Sequence, residues 1–300
     1  MHWCMIRYSF LFAIILAFGS CRDNPVANKD LDFRLTDFEP SWSPDGRTIA
    51  YVHGDTVNGK TGIYLINVDG TDNRIIYSSA SAYSPDWSPD GKWIAFSDNA
   101  QIFKVKLNGD SLAQLTADGR NFLPAWSPDG RWITYNESIC EGPNTCGVWL
   151  MSATGNGRLF ITAFGNYPSW SPMRNQIMYL TTSITSEGQT IGDSLWLFDV
   201  DKGSRKVLIP LEGTNWDNRY PKYSPDGTMI VFTSQASGQA PNIWVMDSSG
   251  NNLKQLTQTG GYSCDWSPDG EWIAYTDTRS VNGKIWLMRK DGSDKHQLTF

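Results

Sequence analysis

Trp42-Ser-Pro-Asp-Gly46 is the stretch that decides the fold, because it recurs along the chain. Successive copies are separated by 45, 39, 44, 53 and 43 residues. A period of roughly 40–45 residues is the length of one four-stranded propeller blade. The copies, four identical and two altered, begin at Trp42, Trp87, Trp126, Trp170, Tyr223 and Trp266.

Each repeat unit predicts four short strands. In Ser-Pro-Asp-Gly, proline presets φ, aspartate bonds back to the backbone and glycine adopts a conformation that side chains resist, so the motif predicts a tight turn. Alternating strands follow, such as Trp272–Tyr275 and Ile285–Met288, and a polar fourth strand such as Gln255–Thr257 ends the unit. We therefore predict an all-β fold, a six-bladed β-propeller of four-stranded antiparallel blades, over residues 33–300.

The repeated aromatic residues supply the reason for the ring. A single blade would expose apolar side chains on both faces, whereas radial packing buries each face against a neighbour. Burial of one large apolar side chain is worth ~1.5–3 kcal/mol. We expect the repeat tryptophans to pack between blades, and the turn aspartates to serve the turns instead of catalysis.

The sequence leaves the closure of the ring open. Phe33-Arg-Leu-Thr36 resembles the fourth-strand pattern and precedes the first blade, as an N-terminal strand that pairs with the last blade would. The chain also ends on Gln297-Leu-Thr-Phe300, which carries the same pattern. Either segment is compatible with the outer strand of the last blade.

Composition limits the classes of partner. The chain has 25 basic and 31 acidic residues, a net charge of −6, and no basic block, which argues against nucleic acid as a partner. The 40% hydrophobic content, with 13% aromatic residues, excludes general disorder. We expect a folded monomer without a cofactor.

The first residues predict export. Arg7, the apolar run from Phe10 to Phe18 and the small residues before Cys21 are typical of a bacterial lipoprotein signal peptide over residues 1–20. Cys21 is the predicted lipidation site, and residues 21–32 are a tether. Plain secretion with an incidental cysteine is the alternative.

The other cysteines fit an oxidising compartment. Cys140 and Cys146 flank a turn-forming run and are predicted to form a disulfide. A metal site is the alternative, but no second cysteine pair or nearby histidine completes it. Cys264 is then unpaired and buried.

The six repeats resemble the TolB-type, WD-related propeller family over residues 33–300. The same repeat is similar to the propellers of prolyl-oligopeptidase-type peptidases and oligogalacturonate lyases, so it indicates the fold better than the function. The peptidase resemblance implies a Gly-x-Ser-x-Gly motif, which the chain lacks. The lyase resemblance implies a metal held by several histidines, and His53 and His296 are the two that follow the signal peptide. We expect no metal.

Segments before the signature aromatics are expected to line the channel mouth. An aromatic residue lies three or four positions before each signature, and six blades would bring these residues into one ring that grips a peptide or a partner loop. The alternative is that these aromatic residues pack between blades as part of the repeat. Blade five adds Trp216 and Arg219, residue types enriched at binding hot spots. Asp86, Lys222 and Asp265 are expected to set the charge near the channel. The six ring candidates are Phe38, Tyr83, Phe122, Tyr167, Tyr220 and Tyr262.

These patterns predict a non-enzymatic, lipid-anchored envelope protein, periplasmic or surface-facing, that binds a protein or peptide at the channel mouth. One alternative is a propeller that binds glycans or processes polysaccharides, like an oligogalacturonate lyase. Another is an envelope scaffold whose surface matters only through tethering. A Ser/Thr/Gly-rich stretch from Thr181 to Asp193 is expected to be a loop between strands two and three of blade four.

Overall fold

A computed structural model of the protein describes residues 36–55, 58–138, 146–184, 190–209, 216–236, 239–279 and 282–300. Within these ranges the chain forms β-strands grouped into four-stranded antiparallel sheets, each built from four consecutive strands. None of the described residues belongs to a helix long and apolar enough to cross a bilayer.

Blades 1 to 3 contain β1 (Thr36–Trp42), β2 (Thr48–Gly54), β3 (Gly62–Asn67), β4 (Arg74–Ser78), β5 (Tyr83–Trp87), β6 (Trp93–Asp98), β7 (Gln101–Lys106), β8 (Ala113–Gln114), β9 (Asn121–Trp126), β10 (Trp132–Glu137), β11 (Gly147–Ser152) and β12 (Leu159–Ala163). Blades 4 to 6 contain β13 (Gly165–Trp170), β14 (Gln176–Ile184), β15 (Thr190–Asp199), β16 (Ser204–Ile209), β17 (Trp216–Tyr223), β18 (Met229–Ala236), β19 (Asn242–Asp247), β20 (Lys254–Gln255), β21 (Tyr262–Trp266), β22 (Trp272–Asp277), β23 (Lys284–Arg289) and β24 (His296–Gln297).

The six sheets close into a ring. The first strands of neighbouring blades contact one another in chain order, and β1 of blade 1 contacts β21 of blade 6. The predicted six-bladed β-propeller with four-stranded antiparallel blades is confirmed. Because the first strand of each blade is innermost, the six first strands surround the propeller axis.

The signature turn is held by its own side chains. Ser43 Oγ donates to Asp45 Oδ1 at 2.7 Å and accepts the backbone N–H of Thr48 at 2.9 Å. Gly46 adopts a φ of 72° and donates its N–H to the Ser43 carbonyl at 2.9 Å. The hydrogen bond from Ser43 holds the pKa of Asp45 below its ordinary value. The same serine–aspartate bond recurs in the other turns that keep this sequence, so these aspartates serve the turns as predicted.

The signature tryptophans pack between blades, as predicted. Trp87 of blade 2 belongs to a cluster with Val52, Ile63 and Leu65 of blade 1. Its indole N–H donates to the Ser41 carbonyl of blade 1 at 3.1 Å. Each tryptophan therefore contributes apolar contact and, in blades such as this one, a hydrogen bond across the interface.

The end of the chain supplies the outermost strand of blade 6. β24 pairs with β23, and Thr299 just beyond it accepts the backbone N–H of Ile285 at 3.0 Å through its hydroxyl oxygen. Thr36 belongs to β1 of blade 1, and residues 33–35 lie outside the described ranges. Of the two segments that the sequence left open, Gln297–Phe300 takes this role.

Blades 1 and 6 meet at a joint of charged and apolar residues. The N–H of Asp37 donates to the Gly283 carbonyl at 2.8 Å. The Asp37 carboxylate contacts the Lys284 ammonium at 3.0 Å and the His53 ring at 2.5 Å. We call Asp37, His53 and Lys284 the closing joint. An apolar cluster with Trp42 on one side and Leu287 on the other lies in the same interface.

Three strands are longer than the sequence indicated. The expected loop from Thr181 to Asp193 is wrong for most of that stretch, because β14 and β15 continue as a hairpin in which Thr182 pairs with Asp193. Threonine and isoleucine favour the extended backbone, which accounts for the extension. In blade 5, β17 already begins at Trp216, so the segment from Trp216 to Arg219 is strand.

Candidate functional site

The first strand of every blade has an irregularity near the residue three positions before the signature aromatic. In all six blades the backbone φ at this position lies between 32° and 56°, although none of these residues is glycine. The pairing with the second strand shifts register at the same place. A β-bulge re-aims a side chain, and a left-handed backbone costs a non-glycine residue roughly 1–2 kcal/mol. We call these six the bulge residues: Glu39, Ser84, Leu123, Tyr167, Tyr220 and Ser263.

The bulge residues line an open cavity of about 490 Å³ on the propeller axis. We call it the axial cavity. Asp86, Lys222 and Cys264, from the same first strands, also line it. Part of this volume is open solvent, so the cavity suits a single inserted side chain of a partner better than an enclosed small ligand. The axial cavity is therefore the candidate site.

Three tyrosines form one continuous aromatic surface, and two of them, Tyr167 and Tyr220, line this cavity. The ring centroids of Tyr167 and Tyr220 are 4.8 Å apart, and those of Tyr220 and Tyr262 are 5.2 Å apart. Arg219 donates to the Tyr262 hydroxyl at 3.0 Å, and to Asp217 at 2.9 Å through its Nε. We call Tyr167, Tyr220 and Tyr262 the tyrosine cluster. All three side chains are half-buried, so part of each faces solvent.

The six predicted ring aromatics do not form a single ring. Tyr167 and Tyr220 are bulge residues, whereas the other four lie one position earlier and are not among the residues that line the axial cavity. Phe38 and Tyr83 instead pair with each other, their centroids 5.9 Å apart, and Phe38 packs against the core between blades 1 and 2. Successive residues of a strand point to opposite faces, and a bulge re-aims a side chain. A difference of one position relative to the signature aromatic therefore separates the two groups.

Trp216 and Arg219 lie on the same strand, β17. The backbone of Trp216 pairs with Ala236, and its side chain lies outside what the structure describes. The guanidinium carbon of Arg219 is 6.0 Å from the centroid of the Tyr262 ring. Arg219 is thereby placed at the tyrosine cluster, next to the axial cavity.

Sequence reasoning missed Glu39, the acidic bulge residue. It is 8% exposed and lines the axial cavity. Its carboxylate accepts the Ser84 N–H at 2.6 Å and the Tyr220 hydroxyl at 2.9 Å. Burial raises the pKa of Glu39, and these hydrogen bonds oppose the rise. Burial also holds the pKa of Tyr220 well above its ordinary value. This phenol therefore keeps its proton and donates a hydrogen bond to Glu39.

An ion pair between opposite blades, which we call the channel crossing, lies deeper along the axis. Lys222 of blade 5 contacts Asp86 of blade 2, the opposite blade, with Nζ and Oδ1 3.2 Å apart. Both residues line the axial cavity and also a second cavity of about 540 Å³. The second cavity is bordered by signature tryptophans and prolines, so it lies at the turn end of the channel. The Lys222–Asp86 pair therefore separates the two cavities.

Asp265, whose charge interacts with that of Lys222, joins two blades. It accepts the backbone N–H of Trp42 at 2.8 Å, as Asp86 accepts that of Trp126 at 2.7 Å. Burial raises the pKa of Asp265 to about 6, although the positive charge of Lys222 opposes the rise. Each aspartate thus links its blade to the next one and sets charge at the channel, as the sequence suggested.

The histidines and cysteines lie away from one another. His53 belongs to the closing joint, and the ring of His296 contacts that of Trp272 at 5.4 Å. No three histidine, cysteine or acidic residues are grouped as a metal would need in the described part of the chain. Cys146 is buried and disulfide-bonded, and Cys264 is buried and free. The predicted signal peptide, Cys21 and Cys140 lie outside the described residues, so export, lipidation and the pairing with Cys140 stay predictions.

Two curated relatives match parts of the chain. Tol-Pal system protein TolB of Anaeromyxobacter dehalogenans (strain 2CP-C) is 32% identical over 102 residues, which are 34% of this chain and 23% of that protein. A protein of Bacillus subtilis (strain 168) named Uncharacterized peptidase YuxL is 26% identical over 132 residues, or 43% of this chain and 20% of that protein. Both matches thus span less than a quarter of the relative's length.

Two solved structures share the fold. The crystal structure of TolB from Acinetobacter baumannii has a TM-score of 0.72 and 21% identity, covering 85% of this chain and 64% of that one. An oligogalacturonate lyase in complex with manganese has a TM-score of 0.60 and 12% identity, covering 88% of this chain and 77% of that one. At such identities the likeness concerns the fold alone.

The family itself is shown by the sequence. The model of the TolB beta propeller domain matches residues 27–191 and 187–300, which together span most of the chain. These ranges contain all six signature repeats and all six bulge residues. The chain belongs to the TolB beta propeller domain family.

Proposed function

We propose that this protein is an exported lipoprotein, held to a bacterial membrane at Cys21, whose propeller binds a protein or peptide of the cell envelope. Binding takes place at the axial cavity. The observation that carries the proposal is the tyrosine cluster with Arg219 beside it. Tyrosine and arginine are enriched among residues that dominate binding energy, because they offer large, stiff contact area together with hydrogen-bond donors.

We further propose that the protein acts as a monomer and without catalysis. Glu39 already accepts hydrogen bonds from Ser84 and Tyr220, and Asp86 from Trp126 and Lys222. Such engagement suits carboxylates that shape a binding cavity better than groups that must exchange protons with a substrate. The relative named a peptidase and the structural neighbour named a lyase support the competing view that the protein is an enzyme. The pulldown described below therefore includes a glycan outcome.

Arg219→Ala is expected to reduce recovery of the partner about tenfold or more in a pulldown from cell envelopes with the full chain as bait. The substitution removes the guanidinium that borders Tyr262 and leaves the tyrosines in place. Mass spectrometry of the retained proteins, with intensities compared between baits, measures the effect.

Arg279→Ala is the matched control. Arg279 also bonds to an aspartate two residues earlier, Asp277, and its guanidinium carbon is 4.4 Å from the Trp286 ring, away from the axial cavity. This variant should retain the partner. Equal retention by both variants would contradict the proposal, and retention of the wild type on glycan resin without a protein partner would favour the glycan alternative.

Cys21→Ser is expected to abolish incorporation of labelled palmitate and to release the protein from the membrane fraction. The anchor depends on acyl chains whose burial contributes ~0.8 kcal/mol per CH₂ group. Cys4→Ser, within the predicted signal peptide, is the control and should keep both the label and the membrane location. Label that persists in Cys21→Ser would refute lipidation at this residue.

A further inference from the structure

The axial cavity contains more negative charge than its own cation balances. Glu39 and Asp86 line it, and the charge of Asp265 acts on Lys222 from outside the lining. Lys222, the lining residue with a positive charge, is paired with Asp86 at 3.2 Å. Among the described residues Glu39 has no cationic partner, since its contacts come from the neutral donors of Ser84 and Tyr220.

The position of Glu39 makes this charge available to a ligand. Its carboxylate begins in blade 1 and reaches donors in blades 2 and 5, which lie on opposite sides of the ring. The side chain therefore extends across the axis. A carboxylate buried without a counter-ion is costly, so a cation that enters the cavity gains from pairing with it.

The aromatic wall suits the same kind of ligand. Tyrosine faces carry partial negative charge and attract ammonium and guanidinium groups within about 6 Å of the ring centroid. The molecule itself provides an example, because the Arg219 guanidinium lies 6.0 Å from the Tyr262 centroid while Asp217 neutralises its charge. Tyr220 joins this aromatic surface to Glu39 through its hydroxyl.

We infer that the axial cavity receives a cationic side chain of the partner, a lysine ammonium or an arginine guanidinium, which passes the tyrosine cluster and pairs with Glu39. This inference rests on the proposed function and specifies the chemistry of the partner. An acidic side chain in the same place would meet Glu39 and Asp86 and would be repelled.

Three peptides test the inference with the full chain by isothermal titration calorimetry. They are N-acetylated, C-amidated Gly-Gly-X-Gly-Gly, with X as arginine, citrulline or glutamate. Citrulline keeps the shape of arginine and lacks its charge. The arginine peptide should bind wild-type protein about tenfold or more tightly than the citrulline peptide, and the glutamate peptide should not bind measurably.

Glu39→Gln removes the charge with little change of shape and should erase the preference for arginine over citrulline. Glu271→Gln removes a glutamate charge from an exposed residue near a signature turn and should leave the preference unchanged. The comparison between peptides on wild-type protein keeps the test decisive even where Glu39→Gln folds poorly.

Equal binding of the arginine and citrulline peptides, no measurable binding of the arginine peptide at millimolar concentration, or an unchanged preference in Glu39→Gln would each overturn the inference. If Arg219→Ala nevertheless releases an envelope protein in the pulldown, the proposed function stands and the cation inference alone fails. A preference for arginine that depends on Glu39, combined with no retained envelope protein, would instead count against the proposed function.

Discussion

Replacement of Asp37 with alanine is expected to lower the free energy of unfolding by about 3–5 kcal/mol. The side chain of Asp37 is 2% exposed and that of Lys284, its partner, is 16% exposed. The variant would leave the Lys284 ammonium largely buried without its anion, which costs more than the lost contact itself. Urea denaturation followed by tryptophan fluorescence measures the change.

The location of Asp37 explains why this pair matters for the whole ring. Blade 6 is completed by its own strand β24, so in the described part of the chain no strand is exchanged between the first and last blades. Among the described residues, blades 1 and 6 are held together by the closing joint, the Asp37–Gly283 backbone bond and the apolar cluster around Trp42.

Glu271→Ala provides the control, because Glu271 forms an ion pair of similar length with Lys290, at 2.8 Å, in an exposed place. About half of each of these two side chains is exposed, and such pairs contribute at most about 1 kcal/mol. A loss of stability as small for Asp37→Ala as for Glu271→Ala would show that the closing joint is not what keeps the ring shut.

The fold was predictable because its determinants are local and repeated. The turn at Ser43–Gly46 is held by hydrogen bonds within five residues, and the packing of Trp87 on blade 1 follows from the next copy of the same motif. Such chemistry can be inferred from the order of residues alone. Six repetitions then turn a local prediction into a global one.

Ring closure was not predictable because two segments carried the same Leu-Thr pattern. In the structure, Gln297 donates its side-chain amide to the Thr299 carbonyl at 2.6 Å, and the Thr299 hydroxyl accepts the Ile285 N–H. The N-terminal segment has Arg34 where this pattern has glutamine. That difference favours the C-terminal segment as the outer strand. The sequence alone does not reveal this, because the role of the glutamine depends on contacts that form only in the folded blade.

The candidate site was only partly predictable. The sequence singles out the aromatic residues before each signature as a group, but a β-bulge changes which of them line the axial cavity. Tyr220 and Tyr262 differ by one position relative to their signatures, so they occupy different places around the cavity. Glu39 gave one signal, an acidic residue where the other repeats have serine, leucine or tyrosine.

Asp265→Asn is expected to become more stable relative to wild type as the pH rises from about 4 to about 7. Burial raises the pKa of Asp265 to about 6 in the folded protein, compared with about 3.8 for an ordinary aspartate. Between these values the folded state holds a proton that the unfolded state has released. The contribution of Asp265 to stability is therefore fully present below pH 3.8 and is lost as the pH rises through about 6.

The expected size of this change is about 2–3 kcal/mol, at about 1.4 kcal/mol for each unit of difference in pKa. Asparagine does not titrate, and its side-chain oxygen can still accept the N–H of Trp42 that Asp265 accepts at 2.8 Å. Lys222 keeps Asp86 as its anion in the variant. Aspartates such as Asp45, whose pKa is lowered, have the opposite pH dependence, but they are present in both proteins and cancel in the difference.

Urea denaturation at several pH values between 4 and 7 measures the difference in unfolding free energy between the two proteins. Asp269→Asn, in the following turn, is the control with the opposite sign, because the hydrogen bond from Ser267 lowers the pKa of Asp269. The stability that Asp269→Asn loses should therefore stay constant from pH 4 to 7, and the loss should disappear only as the pH falls through the lowered pKa of Asp269. A constant difference between wild type and Asp265→Asn from pH 4 to 7 would mean that the channel crossing accommodates the ionised Asp265 at no cost, with Lys222 neutralising both aspartates.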